Sequence, residues 1–311
     1  MSGDMENHFL GHNPKCIHPK SNVLIVSDTT LTGEIDDTVS LHMYKQLELL
    51  GCIKVIGVVS IFGNGGSSSD EVHKNLSRRL VALGMSSWQL LAGPVARMPF
   101  DHKAEINAED SRRLSLIASA VNSTNNVVIA ELGPFTVSAM LLSHKYVEAG
   151  HIVKILGVGG RSPGEVFSTG KGIPFAFRDM NIAEDQAAIG YLVKHHASKL
   201  WLATYKTGIG KRMLKPEQIE AFGGAEIGKH AGARARLLGY IGYGGNIPCW
   251  DTWTTSWFIA GGAERLGCQK MLAKMTFADI GYKPSDRMQL QIFSERKTSD
   301  SIDVCHETSK E

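Results

Sequence analysis

No stretch of this chain is apolar for anything near the ~20 residues that a membrane-crossing helix requires. Met1 to Lys20 is polar and rich in His, Asn and Pro, and it lacks the apolar core of a signal peptide. There is no Cys-x-x-Cys pair. The five cysteines, Cys16, Cys52, Cys249, Cys268 and Cys305, are scattered and odd in number. That pattern speaks against a zinc site or a disulfide framework and for a reducing, cytoplasmic setting. Neither sign of charge dominates: 33 Lys and Arg against 31 Asp and Glu leave +2. A general nucleic-acid binder would need a concentrated basic face, which this balance does not suggest. Internal repeats and long linkers are absent as well. With 311 residues the chain can bury a large core, and a single domain over 22–295 is the simplest division. Residues 1–21 and 296–311 are expected to be flexible tails, the second opening on the polar run from Glu295 to Asp300.

Between these ends, short apolar runs alternate with helical patterns. Strands are expected at 23–27, 54–61, 127–131, 152–157 and 199–204. Most are aliphatic on both faces, as in a parallel sheet covered on both sides. Helices are expected over Thr38–Leu50, stopping at Gly51, and from about Asp70 to Leu83, stopping at Gly84. The second opens on Ser68-x-x-Glu71, a capping-box pattern. Pro134 stands where a helix would begin, and Ala183–His196 and Trp253–Gly261 are further candidates. The alternation implies an α/β fold with mostly right-handed crossovers.

Open α/β sheets bind ligands beyond the carboxyl ends of their strands. After the first strand comes Asp28-Thr29-Thr30-Leu31-Thr32-Gly33-Glu34-Ile35-Asp36-Asp37, four carboxylates in ten residues. Packing does not explain such a segment, because ionised carboxylates repel and are costly to bury without a cation or a hydrogen-bonding ligand. The segment suggests a hard divalent metal, a polyhydroxyl ligand, or both. The next strands end in Gly63-Asn64-Gly65-Gly66, Leu132-Gly133-Pro134 and Gly159-Gly160-Arg161. In a parallel sheet these would crowd one edge and form an oxygen-rich pocket suited to Ca²⁺ or Mg²⁺.

Other motifs carry less. Gly160-Arg161-Ser162-Pro163-Gly164 fits the Gly-x-Ser-x-Gly pattern of serine hydrolases, but a nucleophile elbow turns from strand into helix. Here Pro163, Gly164, Gly170, Gly172 and Pro174 make a long loop instead. Gly208-Ile209-Gly210-Lys211 and Gly242-Tyr243-Gly244-Gly245 complete neither a Walker nor a dinucleotide fingerprint, and ordinary turns explain them. His195-His196, near a helix end, is a solvated or dipole-facing pair rather than a metal site.

Five pieces in order resemble the nucleoside hydrolase (N-ribohydrolase) superfamily, of which this would be a divergent member. They are the acidic segment, the strand Val58–Phe62 ending in Gly63-Asn64, the turn Gly133-Pro134-Phe135-Thr136, the loop from Gly159-Gly160 to Asp179-Met180-Asn181-Ile182-Ala183-Glu184-Asp185-Gln186-Ala187-Ala188, and the late Trp250-Asp251. The likeness runs from 23 to about 262. It implies a Rossmann-like, mainly parallel sheet with helices on both faces and a Ca²⁺ at the base of the pocket. Asp37, Asp251 and the backbone carbonyl of Leu132 would ligate that ion. Asp36 would hold a ribose hydroxyl, and Asn64, Asp179 and Asn181 the others. The metal would bind the ribose diol and the attacking water and lower the pKa of that water. The carboxylates would stabilise an oxocarbenium-like transition state. The implied reaction splits a ribonucleoside into free base and ribose. Trp250-Asp251 is similar to the purine-preferring (inosine-adenosine-guanosine) subgroup, in which aromatic rings sandwich the purine and raise its basicity. Trp250 is then a stacking platform, or else a wall residue, while Trp253 and Trp257 have the spacing of core residues. The resemblance also implies a homodimer or homotetramer.

The likeness breaks at one place that matters. The family Asp that ligates metal and acts as general base falls at Thr30, whose hydroxyl cannot accept a proton at neutral pH. Asp28 or Glu34 takes over the base and ligand role, or the metal remains with a weaker base, or the protein binds ribosides without turnover. Glu131 is a further carboxylate at the same edge, either replacing the lost charge or standing as a solvated strand end. Asp179 replaces a family Glu one methylene longer, and Val137 stands where the family usually has Asn.

Overall fold

The computed structural model describes residues 20–29, 35–63, 67–163, 179–208, 213–221, 245–277, 288–293 and 300–305, with a few positions between 228 and 236. The strands are β1 (Ser21–Ser27), β2 (Ile53–Ser60), β3 (Leu90–Ala92), β4 (Val127–Glu131), β5 (Ile152–Val158), β6 (Leu200–Ala203), β7 (Gln269–Phe277), β8 (Met288–Phe293) and β9 (Ser301–Cys305). They form one nine-stranded sheet in the order β3-β2-β1-β4-β5-β6-β9-β7-β8. The run from β3 through β9 is parallel, and β7 is antiparallel to both β9 and β8. All five strands expected from the sequence lie in the parallel part.

The helices that frame the sheet are α1 (Ile35–Leu49), α2 (Ser69–Ala82), α3 (Ala108–Asn122), α4 (Thr136–Ser143), α5 (Met180–Glu184), α6 (Gln186–His196) and α7 (Thr252–Ala260). Alternate strand residues feed two separate cores. Leu24, Val26, Ile129 and Ile155 pack with α3, α4 and α6 residues such as Leu114, Ile117, Met140, Ile189 and Leu192. Val23, Ile25, Val128 and Leu156 pack with Leu41, Leu76, Leu80, Trp253 and Trp257 from α1, α2 and α7. Helices therefore cover both faces, and Trp253 and Trp257 are core residues. Ser68 accepts from the Glu71 amide, as the capping box requires. Gly51 and Gly84, which follow the first two helices, have left-handed φ of +75° and +66°. Helix α4 starts two residues after Pro134, with Phe135 as its N-cap residue.

The C-terminal stretch departs from expectation. Residues 301–305, placed in a polar tail on sequence grounds, form β9 in the interior of the sheet, and all five are buried. Asp303 makes the strand read as polar, yet its carboxylate accepts from Lys154 at 2.5 Å and from Lys270 at 3.0 Å. A buried charge with two opposite partners is tolerable where an isolated one is not.

The cysteines also differ from expectation. Cys268 and Cys305 are joined in a disulfide with Cα atoms 4.2 Å apart, and Cys52 is disulfide-bonded too. Among the described cysteines, Cys249 alone is a free thiol. Spacing of 37 residues does not reveal that the antiparallel register of β7 and β9, with Gln269 opposite Val304, sets Cys268 beside Cys305. This pairing removes the ground for a reducing compartment. Among the described residues, no helix is long and apolar enough to cross a membrane.

Candidate active site

Strand β1 delivers Ser27 and Asp28 to the carboxyl edge of the sheet, and α1 starts close by with Asp36 and Asp37 in its first turn. Carboxylates suit that position, where the unsatisfied amides and the helix dipole favour negative charge. Asp251 occupies the N-cap position of α7. Each of Asp36, Asp37 and Asp251 offers an oxygen within 4.8 Å of the others. Asp37 is fully buried, Asp251 nearly so, and the Ser27 hydroxyl donates to Asp37 Oδ1 at 2.5 Å.

This centre is electrostatically strained. Burial pushes the Asp251 carboxyl well above the usual range, and the charges of Asp36, Asp37 and Asp28 push it further. The neighbouring Cys249 thiol is raised by burial and then by Asp36 and Asp251. A divalent cation would relieve this repulsion, and an all-oxygen donor set suits Ca²⁺ or Mg²⁺. The residues present therefore fit the ion that the sequence pattern implies.

Asp28 lies alongside this trio, outside the group whose ligand atoms converge. It is 3% exposed and lodged between two strand-end glycines. A Cβ on Gly63 would overlap the Asp28 carboxylate, and one on Gly133 would come within 2.9 Å of Asp28 Cγ. The glycines of two motifs recognised in the sequence are thus the walls of one carboxylate slot. Thr30, Glu34 and Asn64 lie outside the described residues.

Two further motifs meet each other. Thr136 donates to Asp185 Oδ2 at 2.7 Å, and Asp185 also accepts from the amides of Met98 and Ala188, capping α6. Asp179 caps α5 through the Ile182 amide and accepts from the Gly160 amide at 2.7 Å. Burial raises its pKa, opposed by the Gly160 hydrogen bond and the Arg161 charge. In this state Asp179 secures the Gly159-Gly160 loop. Half-buried Asn181 donates to the Val158 carbonyl at 3.3 Å. Arg161 exchanges backbone hydrogen bonds with Leu290 and Ile292 of β8, and the stretch after Pro163, where a helix following a nucleophilic Ser162 would stand, lies outside the described residues.

Trp250 is half-buried. Its indole N–H donates to the Tyr205 carbonyl at 2.9 Å, and its ring stacks on Tyr205 at 5.7 Å and 25°. Sequence reasoning missed Tyr205. The available signal was Gly208: a Cβ there would overlap the Trp250 ring.

Glu131 is no solvated strand end. It is fully buried, and its Oε1 accepts from the Ser138 amide at 2.9 Å and from the Ser138 hydroxyl. Burial pushes its pKa to about 8 against those two hydrogen bonds. Between 4.5 and about 8 the folded, metal-free protein keeps a proton on Glu131 that the unfolded chain has lost. Folded protein binds more protons in this window, so its stability falls as pH rises. Thermal melts of metal-free protein are expected to show Tm decreasing across that range, and Glu131→Gln to flatten the decrease.

The polycarboxylate centre lies at the carboxyl edge of a doubly covered, mainly parallel sheet, and this fold is that of solved nucleoside hydrolases. Three solved structures illustrate the likeness. The plant nucleoside hydrolase PpNRh1 has a TM-score of 0.65 at 16% identity, covering 92% of this chain and 94% of its own. The purine-preferring ribonucleoside hydrolase from Gardnerella vaginalis has a TM-score of 0.61 at 16% identity, covering 91% of this chain and 92% of its own. The type III effector XopQ, solved with adenosine diphosphate ribose, has a TM-score of 0.59 at 14% identity, covering 93% of this chain and 90% of its own. No protein-family model and no curated protein matches the chain by sequence.

Proposed function

We propose that this protein hydrolyses the N-glycosidic bond of ribonucleosides, purine ribonucleosides in particular, in a Ca²⁺-dependent reaction. The observation that carries this reading is the convergence of Asp36, Asp37 and Asp251 at the carboxyl edge of a nucleoside hydrolase fold. Asp37, Asp251 and the Leu132 carbonyl would hold the ion. When bound, it supplies a fixed positive charge for the ribose diol and makes a nearby water a better nucleophile. Asp36 accepts a hydrogen bond from a ribose hydroxyl, while Asn64, Asp179 and Asn181 orient the rest of the sugar. Positive charge develops on the ribosyl ring as the C1′–N bond breaks, and the nearby carboxylates would stabilise it. The water oxygen forms the new bond to C1′, one of its protons leaves, and the base departs with a proton gained. The purified, Ca²⁺-loaded protein is expected to release free base from inosine or guanosine. Absence of release across a panel that includes modified-base and nicotinamide ribosides would refute the hydrolase reading.

Trp250 supplies the base platform, which Tyr205 backs from behind. Trp250→Ala is expected to raise KM for a purine riboside about tenfold, the scale of one aromatic stack, with a smaller change in kcat.

Thr30 favours a second reading, a protein that binds ribosides without turning them over. It predicts that ribose or nucleosides raise Tm in the presence of Ca²⁺ while no base appears.

A further inference from the structure

We propose that Glu131 and Ser138 form a positioning pair that fixes the Leu132 carbonyl for the bound cation. This inference rests on the Ca²⁺ reading above.

The turn 132–135 joins β4 to α4 and carries two parts of the site: the Leu132 carbonyl and Gly133, which forms one wall of the Asp28 slot. Its strand side is held by the Leu132 amide, which donates to the Val26 carbonyl at 2.8 Å. Its helix side lacks the usual device, because Phe135 at the N-cap makes no side-chain capping bond. Glu131 supplies the cap from the strand instead, accepting from the amide and the hydroxyl of Ser138, the third residue of the helix. Room for this arrangement comes from the next strand. Gly157 lies opposite Glu131, and a Cβ on it would overlap the Phe135 ring. Thr136, tied to Asp185, completes the anchorage.

Stability alone does not account for the carboxyl group. Glu131 Oε2 is buried and has no hydrogen-bond partner among the described residues. An unmatched buried polar atom costs more than an apolar group of the same shape would. A carboxylate that is expensive to bury, and that sits one residue from the expected ligand carbonyl, gains its value from where it holds that carbonyl. Groups that orient metal ligands commonly change metal affinity by about 10–100-fold when removed.

Calorimetric Ca²⁺ titration of the full chain, paired with thermal melts of the metal-free form, tests the proposal. Glu131→Leu is expected to melt lower than the parent, because it leaves the Ser138 amide and hydroxyl unpaired, and, while folded, to bind Ca²⁺ at least ~10-fold more weakly. Glu131→Gln, which keeps the acceptor for Ser138, is expected to restore most of that affinity. A purely structural role would move Tm and leave the dissociation constant alone. Should Glu131→Leu fail to fold, Ser138→Ala removes one of the two donors and is expected to weaken binding ~3-fold. Parental affinity in Glu131→Leu, or in Ser138→Ala where that is the variant available, would overturn the positioning role and leave the Ca²⁺ reading standing. No Ca²⁺ binding by the parent would overturn both.

Discussion

Asp37→Ala is expected to abolish base release, by at least ~10³-fold if it follows the loss of other preorganised charged groups, and to remove calorimetric Ca²⁺ binding with it. Asp37 is fully buried and belongs to the one cluster of metal-capable side chains among the described residues. The informative companion is Asp37→Asn, which preserves shape and the acceptor for Ser27. Since the acidic centre repels itself in the absence of a cation, removing one negative charge relieves Asp251, whose pKa Asp37 helps to raise. Metal-free Asp37→Asn should therefore melt at least as high as the parent while being inactive. That combination separates a lost site from a lost fold. If Asp37→Ala still binds Ca²⁺ and turns over nucleosides, the acidic centre is not the site.

The second large effect runs in the opposite direction. Thr30→Asp is expected to raise kcat for base release by about 10²-fold, within the range of a positioned general base, and to tighten Ca²⁺ binding. Asp28 is the described alternative for that role. A general base must reach the water it deprotonates, and Asp28 is enclosed by Gly63 and Gly133 with almost no exposure. It contributes charge to the cluster, as its effect on Asp251 shows, without an open approach for water. Should Thr30→Asp bring no gain while Asp28→Asn abolishes turnover, Asp28 is the base after all. If Thr30→Asp creates turnover where the parent has none, the natural protein is a riboside binder.

The parallel half of the sheet was legible because its strands are aliphatic on both faces and separated by helices with recognisable ends. The antiparallel half was not. Strands β7 and β8 are mixed apolar and polar, as in Gln269-Lys270-Met271-Leu272, and β9 is a five-residue strand with Asp303 at its centre. Only the two lysines arriving from β5 and β7 make that aspartate acceptable inside the sheet, and sequence order gives no hint of them. Within the site, the acidic pair at the start of α1 and the late Asp251 were visible as residue types whose burial needs compensation. Glu131 was visible but its surroundings were not, since a strand-end carboxylate reads the same whether it faces water or caps the next helix. Tyr205 carried no signal of its own. Its partnership with Trp250 is written in a glycine that a local reading assigns to a turn.

The position of β9 bears on how the molecule is made. It follows every other described strand in sequence, yet it lies between β6 and β7 in the sheet. A chain leaving the ribosome completes β1 through β6 and then the β7–β8 hairpin, but the two pieces share no edge until 301–305 emerges. Until then β6 presents an open, fully apolar edge, Leu200–Ala203, and the hairpin meets the rest of the fold only through Arg161 and the packing of its apolar residues on α5 and α6. Closure of the sheet thus waits for 301–305, and the interval before they emerge is when the nascent chain is most exposed to pairing with the wrong neighbour.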